Sequence, residues 1–257
     1  MTTPLPNFTT RLDGQVALVT GASAGLGQRF ARVLAASGAA VAVTARRRDR
    51  LDALVGEIEA AGGKAKAFTL DVADASRCKA IVGEVEGALG LVTILVNNAG
   101  IPDAKRAVKM DIDLIDQVIS VNMRAPFILS CEVARRLIDA KTPGRIVNIA
   151  SMAAYDYSGM GAALYSTTKA AVVRMTEALA VEWAKFGINV NGIAPGAFSS
   201  EMLDGMLARV GDITQHFPRK RIGDPAQMDS TLLYLVSPSS DFVTGTIIKI
   251  DDGQHYR

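Results

Sequence analysis

Seven short apolar runs, separated by longer segments of helical period, restrict what this chain can fold into more than any other feature. They cover residues 15–20, 40–45, 64–70, 93–97, 145–150, 188–194 and 246–250. Most are apolar at consecutive positions rather than alternate ones, as expected of strands covered on both faces. The intervening segments are long enough for right-handed crossovers. The alternation therefore predicts an α/β fold: one doubly wound, Rossmann-type parallel sheet of seven strands with helices on both faces. No linker or low-complexity tract interrupts the 257 residues, so a single domain is expected over 1–257.

Two of the helical segments, 111–140 and 166–186, carry more apolar residues than one buried stripe requires. Each is read as one continuous helix. The surplus predicts a second buried contact, either a subunit interface or extra packing within the chain.

Directly after the first run comes Thr20-Gly-Ala-Ser-Ala-Gly-Leu-Gly27, and a helix follows. Small residues let the backbone approach a pyrophosphate, whose charge is favoured at a helix N-terminus. Glycine turns also serve as plain connectors; the order strand, turn, helix is what favours a nucleotide site. Gly21, Ser23, Gly25, Leu26 and Gly27 are its expected contacts. The second run ends at Ala45, followed by Arg46 and Arg47. A carboxylate there would accept hydrogen bonds from ribose hydroxyls, whereas a guanidinium suits a 2′-phosphate. Arg46 thus predicts NADP(H) as the preferred cofactor, with NAD(H) as the second option. Asp71 and Val72 end the third run, where they can receive an adenine edge. Asn98, Ala99 and Gly100 end the fourth, where small residues permit close approach.

The stretch from Asn148 to Lys169 carries groups suited to a carbonyl. Tyr165 and Lys169 are four apart and share a face of a helix, where a fixed ammonium would lower the phenol's pKa toward working pH. Five Tyr and ten Lys make such a pair by accident in roughly one chain in five, so its weight depends on its surroundings. Ser151, just past the fifth run, offers a hydroxyl to a substrate oxygen.

Composition excludes several classes. A net charge of +2 argues against nucleic-acid binding by bulk electrostatics. The two cysteines, Cys78 and Cys131, fall in helical segments, which fits a reducing, cytoplasmic setting better than a disulfide framework. His216 and His255 lack metal-ligand spacing, and no metal is expected. The first ten residues lack the basic and apolar regions of a signal peptide, and no apolar run approaches the ~20 residues of a membrane span.

Together the residues Thr20-Gly-x-x-x-Gly-x-Gly27, Asn97-Asn-Ala-Gly100, Asn122, Ser151, Tyr165-x-x-x-Lys169 and Pro195-Gly196 resemble the short-chain dehydrogenase/reductase family, in its compact single-domain branch. The resemblance runs from about residue 12 to 253. It implies catalytic roles for four residues. Tyr165 would be the general acid in reduction and the base in oxidation, and Lys169 would lower the Tyr pKa and hold the nicotinamide ribose. Ser151 would polarise the carbonyl, and Asn122, inside the long helix, would hold a relay water, the alternative being a helix-kinking polar residue with a structural role. Pro195 and Gly196 would close over the nicotinamide with Ser200 near its carboxamide.

The implied reaction interconverts a ketone and a secondary alcohol in a homotetramer. Alternatives are a nucleotide-binding regulator without turnover, a lyase or epimerase, and a carrier-protein-linked 3-oxoacyl reductase. The last tends to place a basic residue where this chain has Phe186. Three departures stand out. The gap from Ser151 to Tyr165 is one residue longer than usual, which predicts that the loop with Tyr155 and Tyr157 bulges into the pocket. The ending Asp251-Asp-Gly-Gln254, in place of Asp-Gly-Gly, is expected to lie away from the chemistry. Residues 197–217 should form a lid. Its Met202, Leu203, Met206, Leu207 and Val210, with Met152, Tyr155, Tyr157 and Met160, are consistent with an apolar pocket for a cyclic or aromatic ketone, or equally with side chains that simply pack the lid down.

Overall fold

A computed structural model describes residues 7–157, 159 and 161–255. Its seven strands are β1 (Val16–Thr20), β2 (Ala40–Ala45), β3 (Lys64–Thr69), β4 (Ile94–Asn97), β5 (Gly144–Ile149), β6 (Ile188–Pro195) and β7 (Ile247–Ile250). They form one sheet in the order β3-β2-β1-β4-β5-β6-β7, and every neighbouring pair is parallel. The order reverses between β1 and β4, and a crevice at such a switch point is where α/β sheets bind ligands.

Alternate residues of each strand feed opposite cores. Leu18, Leu95, Ile146 and Val190 face α3 (Ala75–Leu89), α5 (Ala125–Asp139) and α6 (Ala163–Trp183). Val19, Val96, Val147 and Ile193 face α1 (Gly25–Ala36), α2 (Arg48–Ala60) and α8 (Asp229–Val236). The inner strands β1, β4, β5 and β6 are buried on both faces, which is why they read as apolar runs, whereas edge strand β3 alternates exposed lysines with buried alanines.

Polar residues interrupt this apolar sheet at one level. Asn97 of β4 and Asn148 of β5 are register partners. Asn97 Nδ2 donates to Asn148 Oδ1 (2.8 Å) and to Ser130 Oγ on α5 (3.0 Å). Asn148 Nδ2 donates to Thr176 Oγ1 on α6 at 2.9 Å. All four residues are buried.

Two expected helices differ from the structure. The segment 111–140 is α4 (Ile112–Ile119), then a widened π-helical turn, Ser120–Arg124, then α5. The extra residue in that turn leaves the apolar period almost unchanged, so the sequence reads as one helix. The segment expected from 166 begins three residues earlier, at Ala163, because a carboxylate outside the helix supports its first turn. It ends at Trp183 and tightens into a short 3₁₀ turn, Ala184–Phe186. Ile112, Met123, Phe127 and Val181 stay exposed on these elements, Val181 at 82%. Their apolar surplus is therefore not absorbed by packing within the chain.

Candidate active site

The glycine turn is built by overlap that only glycine avoids. Gly21 and Gly25 have φ of 67° and 55°, in the left-handed region. A Cβ on Gly27 would overlap Asn98 Nδ2 and the Gly21 carbonyl. Asn98 donates from Nδ2 to the Thr20 carbonyl at 2.9 Å, and Thr20 Oγ1 accepts the amides of Asn98 (3.0 Å) and Ala99 (3.1 Å). Asn98 thus shapes the turn from behind, a different task from the direct cofactor contact expected of it.

The residues fit a dinucleotide phosphate. Helix α1 starts without a side-chain cap and without an acidic residue in its first turn. Its first amides are left to an external acceptor, and negative charge is favoured there. Ala45, at the end of β2, is buried, and Arg46 next to it is exposed. Arg47 is engaged elsewhere. It donates to Ser23 Oγ (2.9 Å) in the glycine turn and to Glu201 (2.9 Å) at the start of α7 (Glu201–Val210). Arg50 also pairs with Glu201. Asp71 accepts the Ala73 amide at 2.9 Å, which holds Val72 at the end of β3.

The candidate substrate side converges from three elements. Ser151 follows β5 in extended backbone, and its Oγ accepts the Ala153 amide at 3.1 Å. The Ser151 hydroxyl lies near enough to the Tyr165 phenol to favour its ionised form. Tyr165 stands in the first turn of α6, and Lys169, one turn on, is 4% exposed. The Lys169 ammonium donates to the Ile149 carbonyl at 2.8 Å and lies 5.7 Å from the Tyr165 ring centre. A Cβ on Gly100 would come within 3.5 Å of that ammonium, so the Gly100 backbone closes the site at the end of β4.

The electrostatics correct one expectation. Burial raises the Tyr165 phenol above its ordinary range; the nearby Ser151 hydroxyl opposes this, and the Asp103 charge adds to it. Burial lowers Lys169 from 10.5 to about 8. Without a bound cofactor the phenol is therefore not held low, because the ammonium is turned to the Ile149 carbonyl and is itself destabilised. The phenol is protonated at neutral pH, which suits proton donation.

Asp103 is a site residue that the sequence did not disclose. It is buried, and its Oδ2 accepts the Tyr165 amide at 3.0 Å, capping α6 from outside the helix. Its Oδ1 is buried without a hydrogen-bond partner. An Asp in a polar loop 62 residues away carries no local signal of that contact.

Asn122 lies in the π-helical turn, and not within a continuous helix. Its Oδ1 accepts the Ile101 amide (2.9 Å), and its Nδ2 donates to the Ile101 carbonyl (2.9 Å) and to Thr168 Oγ1 (3.3 Å). Both amide protons are engaged, so the side chain ties the loop after β4 to α6, and a relay water could bond this side chain only by donating to Oδ1.

The lid root is fastened from the chain's last strand. Pro195 ends β6, and the Gly196 amide donates to the Ile250 carbonyl at 2.8 Å. Gln254 Oε1 accepts the Ala197 amide at 2.7 Å, and Asp252 pairs with Arg219 and Arg221. The Asp-Asp-Gly-Gln ending thus fastens the lid root. Ser200 caps α7 through the Leu203 amide (3.2 Å), and a Cβ on Gly25 would sit 3.3 Å from its Cβ. The lid therefore begins against the glycine turn.

In the long loop, Tyr155 lies under Lys249 of β7, 3.8 Å from ring centre to ammonium. Tyr157 accepts the Ala162 amide at 3.4 Å. Leu203 is buried and Met202 exposed. Met160, expected in the pocket, lies outside the described residues. Among the described residues no group of three His, Cys, Asp or Glu side chains is placed to hold a metal. No helix among them is long and apolar enough to cross a membrane.

Comparison with known proteins agrees with this geometry. The chain is 32% identical over 249 residues to the 2-dehydro-3-deoxy-D-gluconate 5-dehydrogenase of Formosa agariphila, covering 94% of this chain and 93% of that one. It is 38% identical over 250 residues to the galactitol 2-dehydrogenase (L-tagatose-forming) of Cereibacter sphaeroides, covering 95% and 96%. A blue fluorescent protein from a metagenomic library, solved in complex with NADPH, superposes with a TM-score of 0.88 at 33% identity, covering 96% and 100%. Residues 15–210 match the family model described as short chain dehydrogenase, and the chain belongs to that family.

Proposed function

We propose that this protein is an NADP(H)-preferring oxidoreductase that interconverts a ketone and a secondary alcohol, with Tyr165 as general acid and base. The observation that carries the reading is buried Lys169 one turn from Tyr165, its ammonium 5.7 Å from the phenol ring centre, with Ser151 beside them and the glycine turn at the sheet's switch point. A bound nicotinamide would supply or accept the hydride. Ser151 orients the substrate oxygen, and Tyr165 gives that oxygen a proton in reduction or takes one in oxidation. Lys169 lies where its ammonium can leave the Ile149 carbonyl for a ribose hydroxyl.

Arg46 is the residue for the 2′-phosphate. It follows buried Ala45, it is exposed, and its guanidinium has no partner, whereas Arg47 is already shared between Ser23 and Glu201. The glycine turn's Gly21, Gly25, Leu26 and Gly27 would receive the pyrophosphate. Asp71 and Val72 would meet the adenine, and Pro195, Gly196 and Ser200 the nicotinamide.

We place this activity in a single-domain, cytoplasmic homotetramer. The free thiols of Cys78 and Cys131 support a reducing compartment, and the exposed apolar residues of α4, the π-helical turn, α5 and α6 support assembly. The relatives' names span a sugar acid and a neutral polyol, so they leave the substrate open.

The test is Tyr165→Phe, assayed at 340 nm on a panel of ketones and alcohols with both cofactors. Turnover should fall by ~10²–10⁴-fold with cofactor affinity nearly unchanged. A variant that keeps more than about a tenth of wild-type kcat would remove Tyr165 from the proton transfer.

A further inference from the structure

A cavity of about 360 Å³ opens where the loop after β4, the loop before α6 and the lid helix meet, lined by Ala104, Arg106, Gly159, Gly161, Arg209 and Val210. It is linked to the proposed catalytic tyrosine through the chain itself. Ala104 follows Asp103, whose carboxylate accepts the Tyr165 amide at 3.0 Å. Gly161 precedes Tyr165 by four residues and packs on the same loop, with its Cβ position 3.4 Å from the Lys105 backbone. Its volume is within the ~300–1,000 Å³ usual for small-molecule sites.

The charges of this chain are otherwise well matched. Arg29, Arg32, Arg47, Arg48, Arg50, Arg77 and the arginines of α5 are all in ion pairs, as are Arg145, Arg219 and Arg221. Arg124 donates to the Ala73 carbonyl. Among the described residues, the arginines whose side chains have no partner are Arg46, Arg106 and Arg209. Arg46 stands at the ribose end of the cofactor site. The other two line the cavity, and no carboxylate is among its described lining residues. Lys105, beside Arg106, is neutralised by Asp111 at 3.0 Å. Ala104 holds a left-handed φ of 50°, an uncommon conformation for a residue with a Cβ, at the corner that leads to Arg106.

We infer that Arg106 and Arg209 form an oxyanion subsite, and that the substrate is a ketone or alcohol bearing a carboxylate or a phosphate ester. A guanidinium fork pairs with either group through two parallel hydrogen bonds. Arg209 is carried by the lid helix and Arg106 by the loop facing it. An anion bridging them would draw the lid toward the loop and fix the distance from the anionic group to the reacting carbon. The apolar side of the lid, Met206 and Leu207, then covers the carbon chain between the two ends. The inference rests on the oxidoreductase reading above, and it narrows the substrate class within it.

The experiment uses carbon-matched sets: a six-carbon hydroxy acid, its amide, and the alcohol carrying a phosphate ester in place of the carboxylate. Wild type and Arg106→Gln/Arg209→Gln are assayed at 340 nm. Binding of each compound, with and without NADP⁺, is measured in parallel by calorimetry. Both arginines are exposed, so the double variant should fold normally, and its Tm checks this. Wild type should prefer an anionic compound over the amide by about tenfold in kcat/KM. In the double variant that ratio should collapse through KM, with the amide unaffected. Whichever anion is preferred identifies the group. Equal kcat/KM for acid, phosphate ester and amide in wild type, or a ratio that survives in the double variant, overturns the inference. Should the set give no turnover, anion binding that disappears in the double variant still supports the subsite, and absence of that binding overturns it. Failure of the oxidoreductase reading is separate: it would be seen as no turnover on any ketone or alcohol.

Discussion

Lys169 should make this protein less stable at neutral pH than it would be without the charge. The side chain is 4% exposed, and burial lowers its pKa from 10.5 to about 8. Because the folded-state value is the lower one, the unfolded chain binds more protons between those two pH values, and stability rises with pH across the window. The full difference corresponds to about 3 kcal/mol, of which about 2.5 kcal/mol is recovered between pH 7 and pH 10. Lys169→Met removes the titration while keeping most of the volume. Urea unfolding of wild type and variant without cofactor, at one protein concentration, isolates this contribution, since other groups titrate alike in both. The variant's stability relative to wild type should be most favourable at pH 7 and should decline by about 2.5 kcal/mol by pH 10. A difference that stays flat over that range would mean the ammonium is solvated or paired in the folded state, and the argument from burial would fail.

Three further outcomes follow from the geometry. Gly27→Ala should weaken cofactor binding by at least about tenfold and lower the Tm, because its methyl overlaps Asn98 and the Gly21 carbonyl; wild-type values for both would mean that the turn yields freely. Ala45→Asp with Arg46→Leu should reverse the cofactor preference, an effect of about 10- to 150-fold in kcat/KM, with kcat for the favoured cofactor little changed. Equal use of NADH by wild type would leave Arg46 a solvated surface residue. Sedimentation should give a tetramer, and a monomer that persists at every concentration would return the exposed face of α5 and α6 to the solvent.

The sheet and the glycine turn were legible because their signals are local. Seven apolar runs gave seven strands within two residues at each end, since burial on both faces removes the polar positions that would otherwise blur them. Tyr165, Lys169 and Ser151 were legible as a group through their order along the chain and their helical spacing. What stayed hidden depends on distant partners. Asp103 caps α6 from a polar loop, and Arg47 reaches Glu201, 154 residues on. The π-helical turn at Asn122 keeps the apolar period of its neighbours, so no pattern marks it. The unpaired state of Arg106 and Arg209 is likewise a property of the folded surface, because their neighbours in sequence include carboxylates that turn out to face elsewhere.

The Asn97–Asn148 pair has a consequence for the distance between the two halves of the reaction. Each amide is one to three residues from a part of the proposed site: Asn98 shapes the glycine turn, and Ser151 lies near the Tyr165 phenol. Slipping β4 against β5 by one residue would separate the two amides and bury polar groups without their mutual bond, at about 1–3 kcal/mol for each. Apolar neighbours would tolerate such a slip far better, since one Val or Ile replaces another. The pair therefore acts as a vernier mark between strands. It sets the alignment of the cofactor half against the substrate half to a whole number of residues, deep in the sheet, where no ligand reaches.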